Sequence, residues 1–113
     1  MAAVRLHRLK DEYGEKIVIV WKSFPLIATD TQREFTPYIA KHWKRAGEEE
    51  PGIKFNPWPE MSRLPSASMP ALVASKCAGL QGSEAFERYH MAVFRAYFEQ
   101  GRDISQREVL FAL

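Results

Sequence analysis

Five consecutive apolar residues, Ile17-Val18-Ile19-Val20-Trp21, stand apart from the rest of the chain because they show no polar alternation. Such a run calls for cover on both faces, as an interior strand of a parallel α/β sheet has. No second strand pattern follows. A neighbour for its backbone N–H and C=O groups would come from before Met1, after Leu113, or another molecule. Ahead of it, Ala2, Leu6, Leu9 and Tyr13 recur at spacings of three and four, with Gly14 placed to stop a helix. This predicts helix then strand, the second half of a βαβ unit. The helix begins at Met1 without an N-cap, since Ala2 and Ala3 cannot accept hydrogen bonds from first-turn amides.

Beyond Phe24-Pro25-Leu26 the helical period returns, with two competing starts. Thr31-x-x-Glu34 fits a capping box, and Thr36-Pro37 fits an N-cap followed by proline at the first helical position. Either way the helix ends near Gly47 and buries Ile39, Trp43 and Ala46. The acidic run Glu48 to Glu50 reads as a solvated turn. Pro51 to Ser68 then forms a long irregular loop with four prolines, Pro51, Pro57, Pro59 and Pro65, and two aromatics, Phe55 and Trp58. A loop of that length inside a compact domain is often a binding lid or a linker, and the aromatics argue against a flexible linker.

The last part of the chain is the best patterned. Ser66 or Ser68 caps a helix with Pro70 at its start, running through Leu72, Val73, Cys77 and Leu80 to Gly82. Ser83 caps a longer helix, stopped at Gly101, in which Phe86, Tyr89, His90, Val93, Phe94, Tyr97 and Phe98 make an aromatic stripe. Short-linked helices of this kind pack antiparallel. Ser105-x-x-Glu108 is a capping box for a last helix with Val109, Leu110, Phe111 and Leu113.

Composition narrows the class without naming it. At 113 residues the chain can build one core, and 16 Lys plus Arg against 14 Asp plus Glu, well interspersed, leave a net charge of +2. That gives no nucleic-acid footprint. One cysteine, Cys77, cannot form an intramolecular disulfide, and no apolar run is long enough for a membrane span or leader. A cytoplasmic, reducing setting is expected.

From Leu64 to Leu113 the residues Pro65-Ser66-Ala67-Ser68, Ala71 to Ala78, Gly82-Ser83-Glu84-Ala85-Phe86, Tyr89-His90, Phe94 to Phe98 and Gly101 to Ser105 resemble the helical insertion domain of DsbA-like thioredoxin-fold proteins. The nearest branch is the cytoplasmic one, which also resembles 2-hydroxychromene-2-carboxylate isomerases and kappa-class glutathione transferases. The resemblance implies an α/β, thioredoxin-like parent fold. In this chain it implies a mostly helical piece with one N-terminal strand and about five helices, cut at both ends. Residues 1–28 would be a partial βαβ remnant and residues 29–113 the helical insertion.

The same resemblance implies thiol–disulfide exchange by a Cys-x-x-Cys pair at a helix start, opposed by a cis-proline. Neither is present, so no catalytic residue is assigned and the chain alone is expected to be inactive in dithiol chemistry. Glutathione is implied only by the isomerase and transferase alternative, where serine can replace the first cysteine. A third reading is a non-enzymatic helical module that self-associates.

Other chemistry is sparse. Cys77 reads as a small buried core residue and His90 as a helix-packing histidine. His7, His42 and the lone cysteine support no metal site. Phe55, Trp58 and Met61 are candidates for a substrate groove, the alternative being that Trp58 plugs the bundle. Two copies pairing through Ile17 to Trp21 would make a homo-oligomer, because an uncovered apolar strand is a template for pairing. A protein or a small thiol is the substrate implied for the complete family member, with no nucleic acid and no membrane as partner.

Overall fold

The computed structural model describes residues 2–113, so the uncapped helix start expected at Met1 lies outside the described residues. Five α-helices follow in order: α1 Ala2–Tyr13, α2 Pro37–Glu49, α3 Met69–Gly79, α4 Ser83–Phe98 and α5 Arg107–Phe111. A short 3₁₀ turn, Gly14–Lys16, extends α1, with Gly14 in the left-handed region at φ +56°. No helix among the described residues is long and apolar enough to cross a membrane.

The expected strand is not there. Among the described residues there is no sheet, only an isolated antiparallel bridge between Glu34 and Arg63. The thioredoxin-like α/β fold expected from the resemblance is therefore corrected to an all-helical arrangement. The reason lies in the backbone. Ile17 to Trp21 runs without regular structure, beginning extended at Ile17 (φ −127°, ψ 149°), and no other stretch of the described residues gives it ladder hydrogen bonds. Nor are both its faces covered: Ile17, Ile19 and Trp21 are half-buried, while Val18 and Val20 are 82% and 72% exposed. Self-association through a strand at this position loses its template accordingly.

Of the two competing starts for α2, Thr36-Pro37 prevails. The Thr36 hydroxyl accepts the Ile39 N–H at 3.3 Å, and Pro37 fills the first turn where its missing N–H costs nothing. Thr31 and Glu34 instead sit in an irregular stretch that laces antiparallel against residues 61–68. Thr31 N donates to Ser66 O, Leu64 N to Arg33 O, Phe35 N to Ser62 O and Met61 N to Phe35 O, all at 2.8–2.9 Å. Ser68 Oγ accepts the Ile27 N–H rather than capping α3, and Ser105 turns to Asp103 rather than to the start of α5. Caps expected from local spacing thus became long-range or turn bonds where a second partner lay closer.

Two cores result. Phe35, Trp43, Trp58 and Leu64 form one, with Ile39, Phe55, Tyr97 and Phe98 packed around it. Ala71, Val93 and Leu110 form the other, where α3 packs on α4 and α5 and Tyr89 Oη donates to Leu110 O at 2.7 Å. Between them, α3, α4 and the laced segment leave a groove.

Candidate functional site: an apolar groove with an aromatic end wall

The groove encloses about 620 Å³ between the inner faces of α3 and α4 and the stretches 21–33 and 65–68. Ala71, Leu72 and Ser75 line it from α3, and Phe86, His90, Val93, Phe94, Tyr97 and Phe98 line it from α4. The α4 residues share one side because spacings of three and four place side chains on one helical face. Ser75 Oγ is turned back to Ala71 O at 2.9 Å, so this buried hydroxyl leaves its share of the wall effectively apolar. A cavity of this size, apolar with a few polar groups, has the character of a small-molecule site.

One end of the groove is an aromatic wall. His90 lies 4.5 Å from Trp21, 4.6 Å from Phe94 and 5.4 Å from Phe86 between ring centroids, with His7 of α1 6.2 Å away. Burial pushes the His90 imidazolium down to a pKa of about 4, and the nearby His7 adds to the shift. The ring is therefore neutral at pH 7. His7 Nε2, His90 Nε2 and Trp21 Nε1 are all buried and find no hydrogen-bond partner among the described residues. Such groups are costly, so this wall is less well satisfied than either core.

The polar rim is basic. Arg33 and Lys22 border the groove, and no Asp or Glu does. Arg33 comes from the laced segment, where its carbonyl accepts Leu64 N–H, so the backbone fixes the side chain's origin. Tyr97 has its phenol pKa raised by burial, and the Arg33 guanidinium beside its hydroxyl pulls the other way.

The expected groove residues lie elsewhere. Trp58 is buried in the first core, its indole N–H donating to Tyr97 O at 3.0 Å, and Phe55 packs on the same cluster. Met61 is exposed, with a backbone in the left-handed region at φ +59°. None of the three borders this groove. Cys77 is not a core residue: its thiol is exposed on α3, beside a smaller apolar hollow lined by Met69, Val73 and Leu80. A mid-helix, exposed thiol has no helix N-terminus to make it reactive.

Glu50 corrects a further expectation. It is only 2% exposed, and its carboxylate is clasped by Arg8 at 2.8 Å, Arg5 at 3.1 Å and the Gly52 N–H at 3.0 Å. The Gly52 amide first, then the two guanidiniums, hold its pKa down to about 2. Gly52 is required there, since a Cβ would stand 2.6 Å from Val4 and 2.9 Å from the Glu50 carboxylate. This clasp ties α1 to the end of α2 and so steadies His7 at the aromatic wall. Spacing along the chain gives no sign of it, because its partners lie more than 40 residues apart.

No protein-family model, no curated protein and no solved structure matches the chain.

Proposed function

We propose that this protein acts by binding rather than by chemistry of its own side chains, and that the groove between α3 and α4 holds an apolar ligand. The observation that carries this reading is the groove itself: about 620 Å³, walled by aliphatic and aromatic side chains, with its buried hydroxyl already engaged. The exposed, unactivated Cys77 and the neutral His90, which has no acidic partner, offer neither nucleophile nor proton relay. A single free thiol suits a cytoplasmic, reducing setting.

The test is direct. Nile red, a neutral dye that brightens in apolar surroundings, should bind the protein. Ala67→Trp, which fills the groove from its rim, should weaken that binding by roughly fivefold or more at unchanged helicity. Absence of dye binding overturns the reading.

The likeness of Leu64 to Leu113 to the helical insertion of DsbA-like proteins supports a second reading, in which the module serves a thiol–disulfide oxidoreductase. With one cysteine in the chain, the reacting pair would come from another polypeptide stretch, and the groove would hold apolar substrate. In an insulin-reduction assay the chain alone is expected to match a free-thiol control, with or without glutathione. Turnover above that control would move the chemistry to Cys77 and overturn the binding role for this chain.

A further inference from the structure

We propose that the natural occupant of the groove is an amphiphilic anion, a free alkyl carboxylate whose chain lies along the α3–α4 wall and whose head meets Arg33. This rests on the binding reading above and deepens it by naming the ligand's chemistry. Charge carries the inference. Arg33 and Lys22 border the groove and no carboxylate does, so an anionic head is attracted and an ammonium head repelled.

Arg33 differs from the clasped arginines. Arg5, Arg8 and Arg45 each meet a glutamate within 3.1 Å, whereas Arg33, half-buried, has no carboxylate within ion-pair distance among the described residues. A partly desolvated guanidinium attracts an anion more strongly than one in bulk water, and its planar fork of donors matches a carboxylate in two-point contact. Tyr97 lines the same groove. A neutral head group would leave this cation unanswered. The apolar wall, meanwhile, rewards a chain of methylenes at about 0.8 kcal/mol for each one buried.

Displacement of Nile red by dodecanoate, dodecanol and dodecylammonium, each below its micellar concentration, tests the head and the tail separately. Dodecanoate is expected to displace the dye with an affinity roughly tenfold above dodecanol, and dodecylammonium to be weakest. Arg33→Gln should abolish the tenfold advantage while leaving dodecanol unchanged, and Arg33→Lys should retain part of it. Equal displacement by the acid and the alcohol, or no effect of Arg33→Gln on dodecanoate, overturns the anion while the groove reading stands. Failure of the dye and of all three amphiphiles to bind overturns both. Should Arg33→Gln lose helicity, the unmodified protein still decides: the advantage of acid over alcohol should shrink in high salt if charge produces it, and an advantage insensitive to salt overturns the proposal.

Discussion

Two tryptophans mark two kinds of interior. Trp58 sits in the first core with its N–H delivered to Tyr97 O, its ring 5.8 Å from Tyr97, and close-packed neighbours in Leu64, Trp43 and Phe35. Trp21 stands at the groove's aromatic wall with its N–H buried and unpartnered, beside two histidine nitrogens in the same condition. The difference separates packing from recognition. A core whose buried side-chain polar groups are all answered specifies one arrangement, while a wall with unanswered groups beside about 620 Å³ of space is left open to something else.

Matched truncations in the two regions break or sharpen that contrast. Leu64 is 1% exposed, so Leu64→Ala removes atoms from a site that cannot collapse and should cost about 3 kcal/mol. Leu72 is half-buried and already borders open space, so Leu72→Ala should cost only about 1 kcal/mol. Urea unfolding followed by circular dichroism measures both. Equal losses would mean that the groove closes in solution and that its wall is core.

Titration separates the regions a second way. His90 folds with a pKa of about 4 against 6.5 unfolded, so the unfolded state binds the extra proton between those values. Its contribution is complete above pH 6.5 and is lost as the pH falls to 4, on the order of 2 kcal/mol once partial exposure is allowed for. Of the rings that meet it, those of Trp21, Phe86 and Phe94 carry no charge, and the fourth is the His7 imidazole. Glu50, held near 2 against the usual 4.5, acts in a lower window: its contribution is present above pH 4.5 and fades toward pH 2. His90→Phe should therefore flatten stability between pH 6.5 and 4.5 and leave the steeper loss below it. A Tm series that keeps its upper slope in this variant would place the titrating group elsewhere.

Much of the helical layout was legible from spacing, and the miss at Ile17 to Trp21 has a physical cause. Ala2 to Tyr13, the aromatic stripe of α4 and the Thr36-Pro37 start all announce themselves within a few residues, because helix and cap interactions are local. A strand is a relation between two segments, and an apolar run states the need for a partner without supplying one. The groove between α3 and α4 escapes local spacing for a related reason. Phe55, Trp58 and Met61 stood out as aromatic and sulfur-bearing residues on an irregular loop, yet the loop's lacing against residues 27–35 decides which of them turn inward. His90 and Tyr97 read as packing residues by spacing alone, and the cavity beside them appears only when α3 and α4 are set together. The Glu50 clasp was hidden by the same distance, since an acidic triplet at a helix end reads as solvated until Arg5 and Arg8 are brought to it.

The smallest expected effect on stability concerns the outer row of the unpaired segment. Val18 and Val20 are 82% and 72% exposed and make an apolar edge outside the groove. Because Val18 and Val20 bury so little, Val18→Lys with Val20→Lys should change the folding free energy by less than about 0.5 kcal/mol. Light scattering at rising concentration should show the same mass for the double variant as for the unmodified protein, since the segment forms no strand to pair, and dodecanoate displacement of Nile red should be unchanged, because neither valine borders the groove. A loss of stability above about 1 kcal/mol would instead mean that the outer row packs against the molecule in solution, and the contrast between closed core and open wall would have to be redrawn on that side.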